Sequence, residues 1–229
     1  FTGLGFQNLE RAKKFTDIQD KVLKNVVALS SPGDLVVLLS RLADPFTTEK
    51  IDQKEKAATY RYYNEDLAQI TLKESLDEFI EKLRSLSFEL SEKEVDVIIF
   101  LPSPEFSFSN PLLCKKEWFR NDELSEKMCS ISRNMLIKRI APLNNSITAL
   151  AQSVPNLYVY NPFDVICPPP LLAKSSSDCH MYRRDIPLFS DNDHISPDGS
   201  IFVYKDFTGF LRSNDLDGVQ SNPTSSEDG

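Results

Sequence analysis

No run of about 18 or more apolar residues occurs in this 229-residue chain, so no segment reads as a transmembrane helix. A basic excess is missing as well: 26 Lys and Arg stand against 34 Asp and Glu, a formal net charge of -8. Neutralising phosphates needs a basic face, so a duplex nucleic-acid partner is not expected, whereas neutral ligands such as sugars are unconstrained. None of the four cysteines sits in a Cys-x-x-Cys knuckle, and His180 and His194 are the only histidines. No internal repeat is present. The chain opens on Phe1 without a signal-like segment and is expected to be part of something longer.

Against these absences stands one dense stretch near the C-terminus: Asp191-Asn192-Asp193-His194-Ile195-Ser196, then Pro197-Asp198-Gly199-Ser200. It places a carboxylate three residues before a histidine, at the start of a final helix. An imidazole serves as a general base only when its tautomer and ring plane are fixed. A carboxylate one turn upstream can accept the Nδ1 proton and leave Nε2 to take a proton from a hydroxyl. In so acidic a chain the pair alone arises readily by chance, so its meaning depends on the remaining sequence.

Helical spacing runs from Glu10 to Leu29, with Lys14, Asp17, Gln19 and Asp20 on a polar side and Phe15, Ile18, Val22, Leu23 and Val26 opposite. Pro32-Gly33-Asp34 breaks it. Leu35 to Leu39 is a short apolar run of the kind buried on both faces of a parallel sheet. Thr47 to Asp66 reads as loop or exposed helix, and Leu67 to Leu90 as a helix carrying Ile70, Leu72, Leu76, Phe79, Ile80, Leu83 and Leu86. Val95 to Leu101 is a second strand ending in the rigid loop Pro102-Ser103-Pro104-Glu105-Phe106, at the sheet edge where α/β proteins bind ligands. An irregular segment reaches Cys129. A helix from Ser132 to Ser153 and a strand from Leu157 to Tyr160 follow, then a Pro- and Ser-rich loop from Cys167 to Asp185. Asp198 to Leu211 is the last helix, with Ser196 and Asp198 both acceptable N-caps around Pro197. Alternating helices and strands predict a three-layer α/β/α sandwich around a parallel sheet over residues 1–212, and the polar segment 213–229 predicts a disordered tail.

Cys114, Cys129, Cys167 and Cys179 fall in two close pairs within loop-like surroundings. Two local disulfides, Cys114–Cys129 and Cys167–Cys179, are expected, and they would imply an extracytoplasmic compartment. Four buried thiols are the other reading. A metal site from Asp191, Asp193, His194 and His180 lacks paired-His spacing, and a calcium loop over 191–198 fails because Ile195 occupies an oxygen position; no metal and no cofactor are expected. Asp193 is read as a capping or orienting group and His180 as an exposed bystander. Trp118, Phe119 and Phe106 fit either an acyl or sugar platform or, more simply, the core.

The Asp191-x-x-His194 block resembles the last block of the SGNH hydrolases. With Ile195-Ser196 and Gly199-Ser200 beside it, it more closely resembles the extracytoplasmic SGNH-type domain fused to family-three membrane acyltransferases, the O-antigen acetylase type. Three further patches agree in order. Ser40-Arg41-Leu42 follows the first strand, where the family has a small residue, an arginine and an aromatic; here the aromatic is missing. Pro102 to Phe106 and Cys114 follow the second strand. Asn161-Pro162-Phe163-Asp164, Cys167 and Cys179 follow the third. The likeness spans Asp34 to Leu211.

The resemblance implies Ser-His-Asp acyl transfer, with His194 as base and Asp191 holding its tautomer. A fused membrane acyltransferase domain would deliver the acyl donor, and a cell-surface carbohydrate would accept it. Ester hydrolysis by the same triad, and a non-catalytic sugar-binding domain, are the alternatives. Arg41 could place positive charge near a developing oxyanion or form a structural salt bridge. One departure is large: the Gly-Asp-Ser-His-like segment carrying the nucleophile is absent. Gly33-Asp34-Leu35 mimics its letters but precedes a strand, Ser30 and Ser31 lie at that strand's amino end, and no Gly-x-Asn-Asp occurs. The serine and the sheet's first strand are expected upstream of Phe1, which would leave this segment silent towards esters.

Overall fold

The computed structural model describes residues 9–39, 62–63, 68–107, 110–114, 129–169 and 178–218, and statements of absence below refer to these. Helix α1, Leu9–Leu29, ends before a turn in which Gly33 takes a φ of 83°, a left-handed conformation that a side chain would strain. The Gly33 N–H donates to the Glu94 carbonyl at 2.9 Å, so this turn ties the entrance of strand β1 (Leu35–Leu38) to that of β4 (Asp96–Phe100). Strand β6, Leu157–Tyr160, completes a parallel sheet in the order β1-β4-β6, with Val36 opposite Val97 and Ile98 opposite Tyr158.

Alternation along these strands sends two sets of side chains to opposite faces. Val97 and Ile99 point into a core built with helix α2 (Leu72–Ser91) through Phe79, Leu83 and Leu90, and with helix α3 (Arg133–Ala151) through Leu143, Ile147 and Leu150. Leu23 and Val27 of α1 pack on the same side. Phe100 and Tyr160 serve the other face, where helix α5 (Pro197–Ser213) lays Phe207 against them at ring separations of 5.0 and 4.9 Å. The Tyr160 hydroxyl pins α5 by donating to the Val203 carbonyl at 3.2 Å and the Asp206 carboxylate at 3.0 Å. Burial, then that carboxylate, raise the phenol's pKa above its usual range. The arrangement is the expected α/β/α sandwich. β1 and β6 each have one strand neighbour among the described residues.

A second core lies beyond the carboxyl ends of the strands. Antiparallel strands β5 (Ser130–Ser132) and β7 (Asp178–His180) pair Ile131 with Cys179, and Phe106, Phe163, Ile166, Met181, Leu188 and Phe189 close around them. Both expected disulfides, Cys114–Cys129 and Cys167–Cys179, are formed inside this cluster. The short helix α4, Phe163–Ile166, and the hairpin of β8 (Tyr182–Arg183) and β9 (Ile186–Pro187) complete the layer that carries the 188–196 loop.

Three expectations need correction. Helix α2 starts at Leu72 rather than Leu67, because Thr71 caps it in extended geometry: its hydroxyl accepts from the Glu74 N–H and its own N–H donates to the Glu74 carboxylate. Gln69–Ile70 instead forms β3, antiparallel to β2 (Tyr62–Tyr63). On α1, Ile18 and Val22 of the expected inward stripe are about half exposed, whereas Leu23 of that stripe and Val27 beyond it pack on the core. The rest of the Thr47–Asp66 expectation, together with Arg41, Trp118, Phe119 and residues 219–229 of the tail, lies outside the described residues.

The bridges close loops of 15 and 12 residues, for which chain-entropy loss in the unfolded state stabilises by about 3 kcal/mol each. The denatured, unreduced chain should therefore show no titratable thiol. The paired change Cys167→Ser with Cys179→Ser should lower the unfolding free energy by about 3 kcal/mol in urea titration. Free thiols in the unreduced protein would contradict the pairing.

Candidate active site

The loop between β9 and α5 is shaped by its own polar side chains. The Ser196 N–H donates to the Leu188 carbonyl at 2.9 Å and the Ser190 N–H to the His194 carbonyl at 2.8 Å, closing a narrow turn around residues 190–194. Ser196 also caps α5, its hydroxyl oxygen accepting from the Gly199 N–H at 2.9 Å, which settles the N-cap in its favour over Asp198. Gly199 is required by space: a Cβ there would stand 2.3 Å from the Leu188 carbonyl oxygen.

Within this turn Asp191 performs two tasks with its two oxygens. Oδ1 accepts the backbone N–H groups of Asp193 at 3.0 Å and His194 at 2.8 Å, fixing the turn. Oδ2 faces His194 Nδ1 at 2.8 Å. Partial burial works against ionisation of Asp191, but the hydrogen bonds from Asp193 and His194 outweigh it and hold the carboxyl well below the usual carboxylate range. A second carboxylate, Asp193 Oδ1, lies 3.0 Å from the same nitrogen, with its side chain only 5% exposed. Two acceptors at Nδ1 favour a proton there and leave Nε2 as the nitrogen available to a reacting group. The orienting part foreseen for Asp193 thus has a geometric counterpart.

His194 lies at the margin of a cavity of about 570 Å³ over the carboxyl ends of β1 and β4. Its walls are mainly apolar: Leu39, Phe100, Pro102, Ile195, Val203 and Phe207. Ser103, Glu105, Asp193, Ser200 and Tyr204 supply the polar part of the lining beside His194. The Glu105 carboxylate is ion-paired with Arg139, and the Ser200 hydroxyl donates to the Pro197 carbonyl at 2.7 Å. Ser103 and Ser200 both line the cavity, yet neither stands at the strand-to-helix elbow that exposes a serine nucleophile.

The structure brings Asp191, Asp193 and His194 together. His180 pairs with Ser130 in β7 and is half-buried rather than exposed. Phe106 belongs to the second core, not to a ligand platform. Missed entirely were Glu105 and Arg139, and the cavity face of α5. Val203 and Phe207 recur there at helical spacing, while Arg139 interrupts the buried stripe Leu136, Ile140, Leu143, which was the available signal. Asp191, Asp193 and His194 also bring ligand atoms within 4.8 Å of one another. That is three groups where a structural zinc site uses four, and Asp191 and His194 Nδ1 are committed to each other.

Residues 3–208 match the family model described as the SGNH domain fused to AT3 domains. No curated protein matches the chain.

Three outcomes follow from this geometry. Ring nitrogen shifts from NMR should show His194 with its neutral proton on Nδ1, and Asp191→Asn should redistribute it towards Nε2. Because the Asp191 pKa is depressed, its contribution to stability is present above the unfolded value of 3.8 and is lost as pH falls below that value towards the lower folded one. Asp191→Ala should cost about 1 kcal/mol at pH 7, with the gap to the parent narrowing below pH 3.8 in urea titrations. Gly199→Ala should cost about 1–3 kcal/mol through overpacking against Leu188.

Proposed function

Given that the chain belongs to the family of SGNH domains fused to AT3 domains, we propose that it supplies the base of an O-acyl transfer to a cell-surface carbohydrate. The observation that carries this reading is the Asp191–His194 couple at the margin of an apolar cavity on the carboxyl edge of a parallel sheet. In the proposed reaction a serine hydroxyl from outside the described residues attacks the acyl carbonyl. His194 Nε2 takes its proton and gives it to the leaving group; it then takes the proton of the acceptor hydroxyl, which attacks the acyl-serine, and passes it to the departing serine oxygen. Asp191 does not itself gain a proton. It keeps Nδ1 protonated and stabilises the imidazolium that forms. The apolar wall of Phe100, Val203 and Phe207 suits the acyl portion.

Residues 1–212 act in this reading as one domain, joined to a membrane acyltransferase domain that presents the acyl donor on the extracytoplasmic side. The two disulfides favour that compartment. No helix among the described residues is long and apolar enough to cross a membrane, so the tether would lie in the fused segments. Arg41 is retained as a candidate for the oxyanion, testable only by substitution.

The test uses the protein in which this chain is joined to its AT3 domains, with acyl esters on surface polysaccharide as readout. His194→Ala should reduce ester content by at least about 1,000-fold and Asp191→Asn by about 100-fold or more, with expression unchanged. The isolated chain should turn over no ester faster than its His194→Ala variant. Full acylation by the His194→Ala protein would sink the proposal. Ester loss rather than gain on adding the active protein would move the assignment to hydrolysis by the same couple.

A further inference from the structure

We propose that the buried Glu105–Arg139 ion pair is a positioning device for the Asp191–His194 couple, an inference that rests on the reading of that couple as the reactive centre. The pair joins Arg139 Nη1 to Glu105 Oε2 at 2.8 Å, with the two side chains 6% and 5% exposed. Moving both charges out of water costs several kcal/mol before their attraction repays it, and well-packed apolar residues in place of such a pair often leave a protein as stable or more so. Net stability is therefore a poor account of its presence. Its connections give a better one.

Glu105 closes the Pro102–Phe106 loop that follows β4, and its carboxylate lines the same cavity as His194. The next residue, Phe106, donates its backbone N–H to the Asn192 carbonyl at 2.7 Å, in the middle of the Asp191–His194 turn. The Phe106 ring stands edge-on to Phe189 at 4.8 Å, and Phe189 bridges to Ile195 on the far side of that turn. Arg139 comes from α3, a 19-residue helix packed into both cores through Leu136, Ile140, Leu143 and Ile147. Position is thus handed from a rigid helix to Glu105, from Glu105 to Phe106, and from Phe106 to the carbonyl between Asp191 and Asp193. The 188–196 turn is shaped by its own hydrogen bonds, and the Phe106 contact adds the support from outside that sets where the turn, and with it the imidazole, stands relative to the sheet. Neither Glu105 nor Arg139 takes or gives a proton in the proposed reaction; both act through the turn.

The test uses nitrogen-15-labelled chain and reads the histidine ring nitrogens, with His180 as internal control. Replacing both partners, Glu105→Leu with Arg139→Met, removes the ion pair without leaving a lone buried charge. The expected result is a folded protein with an unchanged or raised thermal midpoint, unmoved His180 signals, and His194 shifts displaced towards a mixture of tautomers. Arg139→Lys alone should restore much of the parent pattern. A folded double variant whose His194 signals match the parent would overturn the proposal. Should the double variant fail to fold, Glu105→Asp retracts the carboxylate by one methylene and asks the same question, and unchanged His194 shifts there overturn it too. In the full AT3-fused protein the double variant should lower kcat by about 100-fold with KM nearly constant, as small misplacements of a reacting group do. Because the ring shifts do not depend on turnover, clamp-sensitive His194 signals in a parent that transfers no acyl group would sink the functional reading and leave the positioning role intact.

Discussion

Everything at the site depends on one carboxylate being divided between backbone and ring. Asp191 Oδ1 binds two successive N–H groups and Oδ2 binds the imidazole, so the atom that sets the turn and the atom that sets the tautomer belong to one rigid group. A carboxylate bound to the ring alone could swing with it. Here Oδ1, held by the backbone, fixes where Oδ2 stands, so the ring meets a carboxylate oxygen of set position. The three-residue spacing lets one side chain reach both the His194 N–H and its ring. Asp193 extends the logic, since its buried carboxylate stands on the same nitrogen and resists any ring flip that would present Nδ1 to substrate.

The turn is exposed on the imidazole side and well supported beneath. His194 is 72% exposed, whereas Leu188 and Phe189, which lead into the turn, are almost fully buried. That contrast is produced by the second core, which places two disulfides, Phe106 and Met181 under the strand ends. In a parallel sandwich the loops at the carboxyl edge have no ladder of their own to rest on. This chain gives them a cross-linked apolar layer instead. Arg133 adds a tether at its margin, donating to the Cys167 carbonyl at 3.1 Å and pairing with Asp164 of the Asn161–Asp164 block. Residues whose order matched a known pattern in the sequence therefore meet in space as one supporting layer.

What was legible in the sequence was whatever obeys a period or a short spacing. β4 and β6 are apolar runs bounded by breakers because they are buried on both faces, and they lie where those runs predict. The Asp191–His194 pair was legible because its partners are local. Glu105 and Arg139 were not, since an ion pair across 34 residues leaves no periodic trace. Arg139 shows only as a charge at a position where the stripe of α3 calls for an apolar residue. α1 misled in part: its broad apolar stripe takes in Ile18, Val22 and Leu23, and periodicity alone does not say that the core will cover the Leu23 and Val27 side and leave Ile18 and Val22 half exposed. The start of α2 was missed because Ile70 fits the helical pattern, yet the Thr71–Glu74 capping box lies one residue further on and decides the boundary.

The exposure of His194 bears on transfer against hydrolysis. An imidazole open to solvent can activate water as readily as a sugar hydroxyl, and the Asp191 contact is the same for both. Base strength therefore does not select the acceptor; position does. A bound acceptor gains over bulk water only through the effective concentration at which it is held. The apolar walls of the cavity give an acyl group a surface that water does not compete for. The imidazole itself is 72% exposed. In the proposed reaction, selective transfer would require the acceptor itself, or a fused domain, to cover the exposed imidazole, which makes occlusion of His194 the physical difference between a transferase and an esterase built on this frame.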